Sequence, residues 1–155
     1  MHALTDNFET NVKGQIHLLN QGHVLEALDL YFHDTGIMFE NDNLFAHNKA
    51  ESRKKQEPYI NSAKKISGKI EGLTIVPEQQ ICLFFNKSLF TNQKDQEFHI
   101  NGLHWQQWYG SRIQEERYYS GSRMQELIKK GLTEAPEKLK FWLEREYTPK
   151  QNRNR

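Results

Sequence analysis

The amino-acid sequence predicts a single α+β domain in which helices come first, an antiparallel sheet follows, and further helices end the chain. Apolar residues recur at three- and four-residue steps in the first part of the chain, which is typical of helices. From Lys69 onward, segments separated by Gly, Pro, Asn and Asp are typical of strands joined by turns. Because the chain has 155 residues, one domain accounts for its length.

Two helices are predicted at the start of the chain. The first has Thr5 or Asp6 as its N-cap, and Gly22 separates it from a second helix predicted over 24–33. The apolar stripe of the first helix consists of Leu4, Phe8, Val12, Ile16 and Leu19. These spacings place one apolar face of each helix against a core.

A hairpin and a third helix are predicted next. Two short apolar segments within 37–46 flank a turn rich in Asn and Asp, which tolerate the left-handed backbone region. Asn48 followed by Glu51 resembles a capping box and predicts the start of the third helix. That helix is expected to run as far as Gly68, with a kink or a second start at Pro58.

The second half of the chain predicts an antiparallel meander. Its four strands are expected over 70–76, 80–91, 97–109 and 112–120. After Gly121 the apolar residues again follow helical spacing. We expect a core over 1–121, a C-terminal helical extension over 122–147 and a loose basic tail over 148–155.

Charge and cysteine content exclude several classes of protein. Lys and Arg total 21 against 20 Asp and Glu, so a nucleic acid or a polybasic membrane contact is not expected. No apolar run is long enough for a membrane span, and a cytoplasmic protein is the simplest expectation. Cys82 is the only cysteine, and no HExxH, Gly-rich phosphate loop or nucleophile elbow occurs. Neither a metal nor another cofactor is expected.

His104 is the first candidate for chemistry. In the strand predicted over 97–109 it alternates with Gly102 and Gln106 on one face, among bulky residues. We expect one face of this strand to meet the helices, and the other to meet a second subunit or the C-terminal extension. A buried imidazole there is either a hydrogen-bonded core histidine or a general acid or base.

The last predicted strand, 112–120, separates two sets of polar residues. Glu115 and Arg117 share one face, where a lateral ion pair is expected. Glu116 and Tyr118 share the other face, and if that face is inward an ionisable carboxyl points into a pocket.

Several segments together resemble the SnoaL-like branch of the NTF2-like superfamily. They are Ala27–Asp34, Ile37–Asn41, Ala46–Lys49, Gly102–Trp105 and Ile113–Ser120. The resemblance covers roughly residues 8–128. It implies a cone in which three N-terminal helices pack on a strongly curved sheet around a pocket, and commonly a homodimer formed through the sheet.

The resemblance carries over to only some of the family's acid–base positions. Ser120 and Asn41 stand where family enzymes commonly have Asp, and Asn cannot take a proton at neutral pH. Asp42 replaces Asn41 only with a one-residue shift, which turns its side chain to the other face. His104 matches a position where the cyclase-like members often have His.

Three hypotheses follow. In the first, the pocket binds a small, largely apolar molecule, with walls from Phe39, Trp108 and Tyr118 and polar contacts from His104, Asn41, Glu116 and Ser120. In the second, the chain is an isomerase- or cyclase-type enzyme with His104 or Glu116 as general base next to a carbonyl. In the third, the cone is filled, and the sheet face or the 122–147 extension binds a partner.

Overall fold

A computed structural model describes residues 4–153, with side chains as far as residue 146. Its helices are α1 (Phe8–Asn20), α2 (Val24–Tyr31), α3 (Lys49–Asn61), α4 (Gly121–Lys129) and α5 (Leu139–Arg153). Its strands are β1 (Phe32–Glu40), β2 (Asn43–Ala46), β3 (Ala63–Ser67), β4 (Ile70–Val76), β5 (Ile81–Asn92), β6 (Glu97–Tyr109) and β7 (Arg112–Ser120). The predicted α+β class is confirmed.

The strands form one mixed sheet in the order β2-β1-β7-β6-β5-β3, with β4 also paired to β5. The predicted meander is present, because β4, β5, β6 and β7 pair antiparallel in succession. The parallel pairing of β1 with β7 was not predicted. It joins the N-terminal hairpin to the meander and makes a single sheet of them.

The boundary between α2 and β1 differs from the prediction. The helix ends at Tyr31, and residues expected to be helical or in a loop belong to β1. Phe32 pairs with Ile113 of β7, and a side chain at Gly36 would overlap the Phe32 ring. Hydrogen bonding to β7 therefore overrides the helical spacing of this segment.

Two other predicted boundaries need correction. The N-cap of α1 is Asn7, whose Oδ1 accepts the amide of Thr10 at 2.9 Å, and neither Thr5 nor Asp6 takes that place. The predicted cap of α3 at Asn48 is confirmed, and the helix continues through Pro58. It ends at Asn61, and the residues expected to prolong it form the lysine-bearing strand β3 on β5.

Each face of the sheet carries its own core. On the face that we call the inner face, Cys82, Phe84 and Trp108 pack with residues of α1 and α2. On the outer face, a second cluster joins β5, β6 and β7 to the C-terminal segment. Its buried members are Ile81, Leu83, Leu103, Trp105, Tyr119, Met124, Leu127, Leu132, Leu139 and Leu143.

The outer face of β6 was expected to meet either a second subunit or the C-terminal extension. Helices α4 and α5 of the same chain pack there, as one of the two alternatives predicted. A homodimer formed through the sheet stays a prediction. Helix α5 continues through Arg153, so the tail expected from Thr148 is helical up to that residue, and 154–155 lie outside the described residues. Over 4–153, no helix is both long enough and apolar enough to cross a bilayer.

Candidate functional site

A cavity of about 320 Å³ lies against the inner face, beside α3 and the β1–β2 hairpin. Polar groups reach it from β5, β6 and β7, while most of the remaining lining is apolar. The lining residues are Val24, Met38, Phe39, Glu40, Phe45, Lys55, Gln56, Tyr59, Ile60, Asn86, Ile100, His104, Glu116 and Tyr118. Its volume is near the lower end of the range found for small-molecule sites.

His104 and Glu116 form a hydrogen-bonded pair at this cavity. Nδ1 of His104 lies 3.1 Å from Oε1 of Glu116, and the two side chains are 15% and 12% exposed. The strand register explains the contact, because His104 pairs with Tyr118, and Glu116 lies diagonally across on the same face. The structure therefore brings the two candidate catalytic residues together.

Aromatic rings hold the imidazole of His104 in place. The ring of Phe84 stacks on it with a centroid distance of 4.8 Å and an interplanar angle of 17°. The ring of Tyr118 meets it edge-on at 4.9 Å. Packing against these two rings restricts rotation of the side chain, so its two nitrogens keep different surroundings.

The hydrogen-bond pattern assigns a tautomer to a neutral His104. Nδ1 faces the Glu116 carboxylate, which can only accept, so Nδ1 carries the proton. Nε2 lies 3.5 Å from Nδ2 of Asn86, at the limit of a hydrogen bond. The Asn86 amide is oriented by Ser88, whose backbone N–H donates to Oδ1 at 3.1 Å. Nε2 is thus the unprotonated nitrogen, and it is positioned to accept a proton.

Local charges set the protonation of Glu116. Burial alone would raise the pKa of its carboxyl, but the charge of protonated His104 and hydrogen bonds from His104 and Gln106 lower the pKa below its ordinary value. The carboxylate is therefore ionised at neutral pH.

Tyr118 is a hydrogen-bond donor beside the pair. Burial, followed by the negative charges of Glu40 and Glu116, raises the pKa of its phenol to about 12. The phenol therefore keeps its proton at neutral pH, and it lies over Gly102 of β6.

Replacing Gly102 with alanine should displace the Tyr118 ring. A Cβ at position 102 would overlap the hydroxyl and neighbouring ring carbons of Tyr118. We expect the free energy of unfolding to fall by about 1–3 kcal/mol, as for other overpacked sites. Urea denaturation measures the loss. Made in a Tyr118→Leu background, the same substitution should cost much less, and an equal cost in both backgrounds would contradict the explanation.

The structure separates the other predicted site residues. Phe39 lines the cavity, although its ring lies 4.2 Å from the guanidinium carbon of Arg117, on the side of the outer-face ion pairs. Nδ2 of Asn41 donates to Oγ of Ser120 at 3.2 Å, and Asn41 Oδ1 accepts the Ser120 amide at 2.9 Å. These two residues tie the hairpin turn to the end of β7. Trp108 is 1% exposed within the inner core, and it is not among the described residues that line the cavity.

A second polar cluster joins the hairpin to the C-terminal helices. Asp42, next to Asn41 in a left-handed turn, accepts from the Tyr119 hydroxyl and from Nε of Arg123, each at 2.7 Å. Arg123 also reaches Glu146 at 3.0 Å. The left-handed turn therefore directs Asp42 to Tyr119 and Arg123, while Asn41 bonds to Ser120.

The lateral pair predicted on the last strand is present. Nε of Arg117 donates to Glu115 at 2.7 Å, and both side chains are largely buried. The contact is more enclosed than the exposed sheet-surface pair expected from the sequence. Lys140 of α5 adds a second cation 3.0 Å from the Glu115 carboxylate.

Several residues of the site were not predicted. Asn86, Gln106 and Gln15 all belong to the polar chain around His104. Gln106 lies two residues after His104 in β6, and this spacing could have indicated that the two side chains share a face. Gln15 sits three residues after the buried Val12 in the apolar stripe of α1, so its burial was also readable.

Comparison with known proteins identifies the fold. A candidate SnoaL-like polyketide cyclase from Mesorhizobium loti has a TM-score of 0.61 and 19% identity, covering 74% of this chain and 99% of that one. AclR, a candidate hydroxylase from Streptomyces galilaeus, has a TM-score of 0.61 and 10% identity, covering 80% and 95%. An NTF2-like protein of unknown function from Burkholderia pseudomallei has a TM-score of 0.59 and 8% identity, covering 80% of this chain and 97% of that one. The chain has the NTF2-like fold.

The NTF2-like fold that the sequence resemblance implies is confirmed. No family model matches the sequence, and no curated protein does. At these identities the likeness shows the fold, and the matched structures carry different assignments, a cyclase and a hydroxylase among them. Function in an NTF2-like chain therefore has to be argued from its own cavity. Within the described residues, no cluster of His, Cys, Asp and Glu is suited to a metal ion.

Proposed function

We propose that the inner-face cavity binds a small, largely apolar molecule and that His104 acts on it as a general base. The observation that carries the proposal is the buried His104–Glu116 pair beside a cavity of about 320 Å³. An imidazole held by a carboxylate on one nitrogen accepts a proton through the other, which is common in acid–base catalysis.

The surroundings of the pair suggest the type of reaction. Tyr118 is a protonated donor near His104, and Asn86 offers a second donor group. Donors of this kind stabilise a negative oxygen that develops when a proton is removed next to a carbonyl. Isomerisation and cyclisation both proceed through such a step, and the assignment of one matched structure as a candidate polyketide cyclase agrees with it.

The lining supports a compact and mostly hydrocarbon substrate. Apolar side chains from α2, α3 and the hairpin surround the polar groups, among them Val24, Phe45 and Ile60. Burial of apolar surface would supply binding energy, while the polar groups, Glu40 and Lys55 among them, orient the substrate.

A base in an apolar cavity can be tested before the natural substrate is known. Nitrobenzisoxazole is a small planar probe whose ring opens when its carbon-bound proton is removed. The proton goes to Nε2 of His104, the ring N–O bond breaks with its electron pair on oxygen, and a nitrile and a coloured phenolate form. We expect saturable turnover that depends on His104. His104→Ala should lower kcat/KM by about a hundredfold or more.

The matched control is His99→Ala, because His99 lies on the same strand and is exposed. It should leave the rate unchanged. A rate that survives His104→Ala would overturn the role of the base. If calorimetry shows that the wild-type protein binds the probe but does not turn it over, the cavity is a binding site without this chemistry. No binding, together with native mass spectra free of small molecules, would favour the filled-cone interaction module.

A further inference from the structure

A pair of buried amides lies directly behind the His104–Glu116 pair. Gln15 of α1 and Gln106 of β6 exchange two hydrogen bonds, with Nε2–Oε1 distances of 2.9 and 2.7 Å. Gln106 is fully buried and Gln15 is 4% exposed. Nε2 of Gln106 also donates to Oε1 of Glu116 at 2.6 Å, so the amides and the pair form one continuous chain.

The orientation of the Gln106 amide is fixed by its neighbours. Nε1–H of Trp108 can only donate, and it lies 3.1 Å from Oε1 of Gln106. The Cys82 thiol, which burial keeps protonated by raising its pKa, donates to the same oxygen at 3.3 Å. Gln15 supplies a third donor. With its oxygen committed to three donors, Gln106 must present its N–H groups to Gln15 and Glu116.

This arrangement has a consequence for the charge on Glu116. A buried carboxylate beside an imidazole would normally draw a proton onto that imidazole, because the ion pair compensates the desolvated charge. A hydrogen-bond donor on the carboxylate oxygen shares its negative charge, so the carboxylate draws a proton onto the imidazole less strongly. The bond from Gln106 therefore allows Glu116 to remain ionised next to a neutral imidazole.

We propose that Gln106, locked by Gln15, Cys82 and Trp108, is a positioning residue that shares the negative charge of the Glu116 carboxylate on Nδ1 of His104 and so leaves Nε2 unprotonated toward the cavity. The proposal rests on the proposed function, since it explains what holds Nδ1 of His104 while Nε2 acts as the base. It gives the buried amides of Gln15 and Gln106 a role, whereas apolar side chains would serve for packing alone.

The test is the pKa of His104 in Gln106→Met, read by NMR of histidine-labelled protein. Methionine has similar length and volume but donates no hydrogen bond. The chain has seven histidines, and the signals missing in His104→Ala identify the one of interest. Without the Gln106 donor the carboxylate holds the imidazolium more strongly. We expect the pKa of His104 to rise by about one unit or more. The nitrobenzisoxazole pH–rate profile should move to higher pH by the same amount.

Two further variants keep the result interpretable. Gln107→Met makes the same change at the next residue of β6, where the side chain contacts Gln79 and Gln80 instead, and it should shift nothing. Gln15→Met leaves the Gln106–Glu116 bond in place but removes its support. It should give a smaller shift in the same direction, and it serves if Gln106→Met does not fold.

The other titratable groups near the pair are unchanged in these variants. They are Tyr118 from β7, Cys82 from β5, Glu40 from β1, and Lys55 and Tyr59 from α3. An unchanged or lowered pKa of His104 in Gln106→Met would overturn the proposal. Because the NMR measurement needs no turnover, failure of the general-base function and failure of this inference are distinguished.

Discussion

Replacing Trp105 with alanine should lower the free energy of unfolding by about 3–5 kcal/mol, the range for deleting large buried aromatic side chains. Trp105 is 1% exposed at the centre of the outer core, where β6 meets the C-terminal helices. Its Nε1–H donates to the backbone oxygen of Pro136 at 2.9 Å. The substitution therefore leaves a cavity and also a buried carbonyl without its donor.

Urea denaturation followed by circular dichroism measures this loss. Trp105→Phe should cost less, because it fills most of the space and removes chiefly the hydrogen bond. Phe141→Ala, on the exposed face of α5, should stay within about 0.5 kcal/mol of the wild type. If Trp105→Ala were no more damaging than Phe141→Ala, the C-terminal helices would not be packed on the sheet as described.

Replacing Arg123 with methionine should cost about 3 kcal/mol, near the lower end of the range for breaking a buried ion pair. Arg123 is 17% exposed, while Asp42 and Glu146 are each 16% exposed. The three carboxylates around it raise the pKa of the guanidinium further above its ordinary value, although burial opposes this. Removing the cation would leave Asp42 and Glu146 enclosed without their main counter-charge.

The matched control for this prediction is Arg145→Met, an exposed arginine of α5 that lies over Phe141. It should change the free energy of unfolding by less than about 1 kcal/mol. Because the Arg123 contacts are largely enclosed, the difference between the two variants should persist at high salt. A difference that disappears in salt would show that Arg123 acts as an ordinary surface charge.

The limits of strands were predicted best where an alternating segment is bounded by turn residues. Strands β6 and β7 have the predicted limits, because Gly110 and Ser111 separate two long alternating segments. The prediction failed where pairing decides the structure. Phe32–Gly36 follows a helix and becomes a strand only because β7 lies beside it, and Ala63–Ser67 becomes a strand only because β5 does. Partners distant in the chain leave no trace in local spacing.

The candidate site was also predictable only as far as local alternation allows. Alternation placed His104 on one face of its strand and Glu116 with Tyr118 on one face of theirs. Whether the two faces coincide depends on register, which pairs His104 with Tyr118 and Gln106 with Glu116. Asn41, Ser120 and Trp108 are not among the described residues that line the cavity. Residue type and alternation alone do not give the depth of a side chain along the cavity.

The parallel pairing of β1 with β7 has a consequence for how the chain reaches its native state. Contacts between these strands join segments far apart in the sequence, as in the bond from Asn41 to Ser120 across 79 residues. The amides of Gln15 and Gln106 are 91 residues apart. Closing such loops costs entropy before any contact repays it, so folding is expected to be slow for a domain of this size. During synthesis, the hairpin that walls the cavity is made long before its strand partner. The His104–Glu116 pair therefore assembles only after β7 has been added.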